Sequence, residues 1–437
     1  ITELQGVVTT LKNVEKVDVV VVLAHAGTDL DKPDTAESWQ IAAAVEGVDV
    51  VLSGHTHLLY PAVLVENTRT KKKVLVEEPE WAGDYVAKVV LSVDGSGNVS
   101  FDMTNTKAIA VNDKTPADQA YLPLVNEVIN ELEADRMYSG RSFLEMALSN
   151  IEGAPVTHDP SKTGDLYFRL LGQTQFEMTN PMYRETAMLR MAADAMLTAS
   201  EAYTGKTDLA VNAYGIMRDG IWVGNSGKVT FTDLFRVLPL GISPVNGTPG
   251  YPLTKFYVAP IELKAVLEQT TTSYGTPDNA NTFMVTSGLC FWYDTSRKAF
   301  DPAKILDPTN GRITKIAMAT NHQKLDECDT VVYTLENGWD SVKTPQLFSV
   351  TVDYFLLMFA SGAGVTPKTA TGAKYTVLTD TIIKRGDMSE VKTFEALGTF
   401  VKGLCDGGAY IPARYNDNDA AGAGPFRAIC TGPLCVK

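Results

Sequence analysis

Two apolar runs that each end at a histidine constrain the fold of this chain more than any other feature. Residues 19–24 precede His25, and residues 48–52 lead into Gly54-His55-Thr56-His57. Continuous apolar runs of this length predict strands buried on both faces of a parallel sheet. Three of the five histidines therefore lie just past the ends of two buried strands.

The residue type and the position together favour a metal site. Neutral imidazole is a common ligand for zinc, manganese and iron, and a rigid strand end holds the ring in place, with Gly54 leaving room for close backbone approach. His25, His55 and His57 thus fit a mononuclear or a dinuclear centre. Two other interpretations remain open. Each histidine caps its strand through an ordinary hydrogen bond, or the three form a structural zinc site completed by an acid such as Asp29 or Asp31.

The sequence around these histidines resembles a known family. Residues 22–27 and 41–57 are similar to the last two metal-binding blocks, approximately L-S-H-x-G and G-I-D-x-I-x-G-G-H-(S/T)-(H/N/Q), of the 5'-nucleotidase family of calcineurin-like metallophosphoesterases. Residues 185–188, 212–218, 237–241 and 285–288 follow the order of that family's C-terminal substrate domain. The resemblance implies an α/β fragment of a metallophosphoesterase αββα sandwich, followed by an α+β 5'-nucleotidase-type C-terminal domain.

The resemblance also implies a metal-dependent phosphatase that uses two divalent ions, zinc, manganese or similar. His25 and His55 would bind one ion and His57 the other. The family's earlier blocks, D-x-H, G-D-x-x-D and G-N-H-(D/E), do not occur in the chain. We therefore expect no catalytic residue here, and we expect the remaining ligands on a missing N-terminal segment of a periplasmic or secreted hydrolase.

Substrate-binding residues follow from the same resemblance. Two aromatic rings would sandwich a nucleobase, with Phe283 as the first and Tyr354 or Phe355 as the second; for each ring, core packing is the alternative. Asn212 opens the block in which Arg218 would bind the anionic end of the substrate. The family's Gly-Gly-Asp, which binds ribose, appears as Gly362-Ala363-Gly364. The substrate is then a nucleotide or another phosphate ester.

Composition excludes other classes of function. The net charge of -14 argues against a general nucleic-acid binder, because such proteins carry a basic patch. No apolar stretch approaches the roughly 20 residues that span a bilayer. A catalytically inactive protein that binds a ligand or partner through this fold is the alternative to the enzyme.

The chain contains five cysteines, so at least one has no partner within it. A disulfide among Cys405, Cys430 and Cys435 is plausible in an oxidising compartment. For Cys290, which lies in an apolar strand, we expect a buried free thiol.

The pattern along the chain predicts three parts: residues 1–110 as the C-terminal part of the metallophosphoesterase domain, 111–140 as a connecting helix and 141–437 as the substrate domain. The helix is predicted to begin at Thr115-Pro116-Ala117-Asp118, which combines an N-cap hydroxyl, a first-turn proline and an acid. Residues 86–93 are predicted to form one strand.

Overall fold

The computed structural model describes residues 1–28, 36–81, 83–112, 115–179, 185–224, 226–272, 282–304, 307, 309–322, 324–362, 365–417 and 427–431. The chain divides into two compact units, Ile1–Asp118 and Gln119–Lys437, called here the N-terminal and C-terminal units. No helix among the described residues is long and apolar enough to cross a membrane.

The N-terminal unit is built on a four-stranded sheet with the order β1-β2-β4-β3, in which β1, β2 and β4 are parallel and β3 is antiparallel to β4. Two antiparallel pairs, β5 with β8 and β6 with β7, complete it. The elements are α1 Thr2–Asn13, β1 Val21–Ala24, α2 Glu37–Ala44, β2 Val50–Ser53, β3 Leu59–Glu66, β4 Lys73–Pro79, β5 Tyr85–Lys88, β6 Leu91–Val93, β7 Val99–Phe101 and β8 Lys107–Ala110.

The parallel pairing of the two histidine-bearing strands confirms the sequence prediction of a parallel sheet. The prediction that both strands are buried holds for β2 but is wrong for β1, where Val21 and Leu23 are 49% and 79% exposed. The single strand predicted over residues 86–93 is instead two strands, β5 and β6, which belong to different pairs. The break has a local cause, because the backbone N–H of Val90 donates to Thr106 Oγ1 at 2.9 Å and not to a neighbouring strand.

The C-terminal unit contains a four-stranded sheet β12-β18-β10-β13, a five-stranded sheet β17-β16-β15-β14-β19 and the pair β11-β9. Its helices are α3 Leu122–Ala134, α4 Phe143–Glu152, α5 Ala187–Thr204, α6 Phe231–Val237, α7 Pro260–Thr272, α8 Tyr354–Gly362 and α9 Thr393–Leu404. Its strands are β9 Leu170–Gln173, β10 Leu209–Ala213, β11 Lys228–Thr230, β12 Leu253–Val258, β13 Met284–Ser287, β14 Leu289–Asp294, β15 Ile313–Met318, β16 Thr330–Thr334, β17 Gly338–Trp339, β18 Phe348–Asp353 and β19 Ala428–Thr431.

Helix α5 is the centre of the C-terminal unit. Thr186 caps its N-terminus by accepting from the N–H of Leu189, and most of its side chains on every face are buried. A helix that is apolar all round belongs in a core. It contacts α9 on one side and strands β10 and β13 on the other.

Helix α3 begins later than the sequence predicts. It starts at Leu122, with Tyr121 at the N-cap, and not at Thr115. Pro123 explains the difference. Proline lacks an N–H and is tolerated only in the first helical turn, so a helix running from Thr115 would place Pro123 in its interior.

The prediction for Cys290 is wrong. Cys290 is not a free thiol but forms a disulfide with Cys328, 38 residues away, with a Cα–Cα distance of 6.0 Å. Cys405 is free. Cys430 is disulfide-bonded, and Cys435 lies outside the described residues.

Candidate functional site

The parallel sheet of the N-terminal unit brings His25 and His55 to the same edge. Ala24 is the register partner of Ser53, so the residues that follow each strand lie side by side. The N–H of Gly54 donates to the carbonyl of Ala24 at 3.1 Å, which extends the pairing by one residue toward the histidines.

The two imidazoles are close enough to share an ion. His55 Nδ1 lies 3.2 Å from His25 Nε2, and the ring planes are inclined by 70°. Two nitrogens on one tetrahedral zinc ion lie about 3.3 Å apart, since Zn–N distances are about 2.0–2.1 Å. The pair therefore fits a metal. Gly54 is not needed for space, because an added Cβ would lie an ordinary 3.5 Å from His25 Nδ1.

The turn that carries His55 and His57 has an unusual backbone. Their φ angles are 92° and 56°, in the region that favours glycine. Such a conformation costs about 1–3 kcal/mol at each residue and persists only where the surroundings enforce it. Strained residues of this kind cluster at functional sites, and here both are candidate ligands.

Glu78 is the residue that sequence reasoning missed. Its fully buried carboxylate accepts hydrogen bonds at Oε2 from Thr28 Oγ1 at 2.5 Å and from Thr56 Oγ1 at 2.6 Å. Thr28 follows His25 by three residues and Thr56 lies between His55 and His57. One side chain thus ties both histidine-bearing turns together. The available signal was the pair Glu77-Glu78 at the end of an otherwise apolar strand.

The neighbouring Glu77 is also fully buried. Among the described residues, neither of its carboxylate oxygens has a hydrogen-bond partner, and the same holds for Oε1 of Glu78. Burial raises the pKa of Glu77. Burial therefore favours the neutral form of this carboxyl group.

His57 packs against an aromatic side chain. Its ring stacks on Trp81, with centroids 4.8 Å apart and planes inclined by 9°. Within the described ranges, the three rings do not gather their nitrogens into one group within 4.8 Å. Asp29 and Asp31, the acids of the single-zinc alternative, lie outside those ranges.

In the C-terminal unit the structure separates the predicted substrate residues. Phe283 is 1% exposed and belongs to the core, and Asn212 is fully buried beside Leu189 and Met217. Both lie on interior strands or directly beside them, which explains their burial. Tyr354 is buried too, whereas Arg218 and Phe355 reach the surface.

The exposed ring of Phe355 forms an aromatic stack with one neighbouring ring. Tyr251 stacks on it, with centroids 5.6 Å apart and planes inclined by 28°. Burial raises the pKa of the hydroxyls of Tyr251 and Tyr214. The negative charge of Asp353 adds to the rise at Tyr251, and the positive charge of Arg218 opposes the rise at both tyrosines. Aromatic faces beside an exposed cation suit a ligand with a base and an anionic group.

Asp353 lies directly before this ring. It is fully buried, and its Oδ1 accepts from the N–H of Leu356 at the start of α8. Its Oδ2 has no hydrogen-bond partner in the described part of the chain. Burial raises the pKa of Asp353 to about 6. Ala363 and Gly364, where the family's ribose-binding acid was sought, lie outside the described residues.

A separate cavity of about 280 Å³ lies beneath helices α7 and α8. Its lining is apolar except for Gln269, and it includes Phe256, Phe300 and Phe359. A phosphate ester needs convergent polar and cationic groups. This cavity therefore does not fit the predicted substrate.

Comparison with known proteins supports the resemblance found in the sequence. Residues 163–357 match the family described as 5'-nucleotidase, C-terminal domain. Human 5'-nucleotidase is 26% identical over 327 residues, which cover 70% of this chain and 48% of the human protein. Residues 163–357 are thus similar to the C-terminal domain of 5'-nucleotidases. The trifunctional nucleotide phosphoesterase protein YfkN of Bacillus subtilis (strain 168) is 24% identical over 237 residues, covering 54% of this chain and 14% of that protein.

The fold agrees with this similarity to 5'-nucleotidases. The 5'-nucleotidase precursor from Thermus thermophilus superposes with a TM-score of 0.54 at 15% identity, covering 98% of this chain and 67% of that one. The predicted fold class is confirmed. The chain spans about half the length of human 5'-nucleotidase (48%). Arg218, Phe283 and Phe355 lie within the matched 5'-nucleotidase domain, whereas the histidine edge precedes it.

Proposed function

We propose that this chain contributes to a metal-dependent phosphoric ester hydrolase that acts on nucleotides or related phosphate esters. The observation that carries the proposal is the pairing of His25 and His55 at 3.2 Å, at the ends of adjacent parallel strands. The match of residues 163–357 to the 5'-nucleotidase C-terminal domain supports the choice of substrate class.

The residues present fit one divalent ion between His25 and His55, and His57 serves a second. Ions at this edge would polarise the phosphoryl oxygens and activate water. Glu78 holds both turns in place through Thr28 and Thr56, so the ring nitrogens are positioned before an ion binds. We propose that the bridging carboxylate and the catalytic histidine of the family come from residues outside these 437.

In the C-terminal unit, the proposal assigns base recognition to Phe355 and charge recognition to Arg218. Phe355 is 43% exposed and has Tyr251 against it, so a nucleobase has an aromatic surface on which to stack. Phe283 and Asn212 are buried in the same unit and offer no surface for a ligand. The Cys290–Cys328 disulfide supports an oxidising compartment, hence a periplasmic or secreted location.

The metal assignment predicts a large loss of activity in His55→Ala. In the longest natural polypeptide that carries these residues, we expect hydrolysis of AMP in the presence of Mn²⁺ to fall about 1,000-fold, since an ion contributes several kcal/mol to the transition state. Metal content, measured by mass spectrometry, should fall in parallel. His322→Ala is the matched control and should leave both values unchanged.

Two results would contradict the enzyme. Unchanged metal content in His55→Ala would remove His55 from the ligand set. An unmodified polypeptide that binds AMP without hydrolysing it, at any divalent metal concentration, would instead establish the non-catalytic binding protein.

The base-stacking assignment predicts that Phe355→Ala weakens AMP binding by about 5- to 150-fold, because stacking on an aromatic ring contributes about 1–3 kcal/mol. Isothermal titration with AMP and with inorganic phosphate separates the two parts of the ligand. Affinity for phosphate should stay the same. Phe359→Ala, one turn along the same helix and 47% exposed, should bind AMP normally. Equal losses in the two variants would show that the helix, and not the ring of Phe355, matters.

A further inference from the structure

A histidine between two carboxylates forms a second group of metal-ligating side chains, in the C-terminal unit. His158 Nδ1 lies 2.9 Å from Asp165 Oδ1 and 3.6 Å from Glu133 Oε2. One ligand atom from each residue falls within 4.8 Å of the others. None of these residues belongs to the elements that carry the histidine edge or the aromatic stack.

The spacing of the ligand atoms matches a tetrahedral ion. Zinc ligands at about 2.0–2.1 Å lie about 3.3 Å from one another, and the measured separations of 2.9 and 3.6 Å bracket this value. The site is also enclosed. The exposed fractions of the side chains of Glu133, His158 and Asp165 are 0%, 6% and 17%.

The local charge favours a divalent cation. Within the described ranges, His158 is the only basic side chain within ion-pair distance of Glu133 and Asp165. A neutral imidazole leaves two negative charges uncompensated in a poorly solvated place, and an imidazolium compensates only one. Lys162 and Arg169 act on Asp165 from farther away and are engaged by Asp159 and Glu152. One divalent ion would balance both carboxylates.

The surrounding hydrogen bonds already hold the ligands in position. Glu133 accepts from the N–H groups of Gly164, Leu166 and Tyr167 at 2.8–2.9 Å. The N–H of His158 donates to Glu145 Oε1 at 2.9 Å. Supporting contacts of this kind fix the geometry of metal ligands.

We propose that Glu133, His158 and Asp165 bind one Zn²⁺ ion that fastens the segment between α4 and β9 to the end of α3. A nitrogen ligand with two carboxylates suits zinc better than magnesium or calcium, which prefer oxygen ligands throughout. The ion replaces the proton on His158 Nδ1. This site is separate from the proposed catalytic edge.

The test starts from a variant of the 437-residue chain in which His25, His55 and His57 are alanine, so that failure of the proposed function does not affect the outcome. Equilibrium dialysis against Zn²⁺ should give one ion per chain, and millimolar Mg²⁺ should not displace it. Adding His158→Ala should remove the ion. Adding His322→Ala instead should not, because His322 faces a single carboxylate, Glu201, at 2.9 Å.

Asp165→Asn keeps the size of the side chain and removes its charge. It should weaken zinc binding at least about tenfold while leaving the circular dichroism spectrum unchanged. If His158→Ala fails to fold, this variant tests the zinc site in its place. The proposal is overturned if the starting variant binds no zinc, if zinc remains after His158→Ala, or if Asp165→Asn in a folded chain binds zinc with unaltered affinity.

Discussion

Replacing Arg427 by methionine is expected to lower the free energy of unfolding of the C-terminal unit by about 3–5 kcal/mol, because it leaves a buried carboxylate without its cation. The guanidinium is 1% exposed and binds Asp194 at 2.6 and 3.1 Å and Asp326 at 2.6 Å. Asp194 is itself fully buried on α5. Urea unfolding followed by circular dichroism measures the change.

Two further variants make this prediction specific. Arg236→Met removes a guanidinium that is 53% exposed and paired with Asp219, so its cost should stay below about 1 kcal/mol. Asp194→Asn combined with Arg427→Met removes both charges and should recover part of the loss. A double variant no more stable than Arg427→Met alone would mean that the loss comes from packing and not from the unpaired charge.

Replacing Cys290 and Cys328 together by serine is expected to lower the free energy of unfolding by about 2–4 kcal/mol. The bridge closes a 38-residue loop, and its removal frees the unfolded chain. Reduction of the native chain by dithiothreitol should also lower the urea concentration at the midpoint of unfolding.

The chain supplies its own control for the disulfide. Cys405→Ser changes a free, half-buried thiol and should leave the unfolding midpoint nearly unchanged. If the double serine variant unfolds at the same urea concentration as the native chain under oxidising conditions, the bridge does not stabilise the fold.

Local patterns were sufficient to predict the histidine edge. Two apolar runs predicted parallel strands, and parallel pairing alone brings His25 beside His55. The resemblance to the 5'-nucleotidase family extended this to the fold class. The pattern did not predict the backbone conformation of this turn. His55 and His57 have positive φ angles, and Thr56 between them donates to Glu78, which is 21 or more residues further along the chain.

Features that depend on distant partners were not predictable. From the sequence alone, Cys290 is predicted to be a thiol in the core. Only the fold brings Cys328 next to it, because cysteine spacing does not determine which cysteines pair. The sequence around Phe283 favours a ring that faces the ligand. In the structure this ring lies directly before β13 and is buried in the core. The start of α3 was predictable in principle, because Pro123 is visible in the sequence.

The bond between Asp194 and Arg427 also sets an order of events during synthesis. The two residues are 233 positions apart, so at about 5–20 residues per second the ribosome makes Arg427 on the order of 10–50 s after Asp194. Before Arg427 has been made, α5 cannot be buried with the carboxylate of Asp194 neutralised by the guanidinium of Arg427. The central helix of the C-terminal unit therefore waits for 233 further residues before this ion pair can form, and its apolar faces are open to chaperones and to aggregation during that interval.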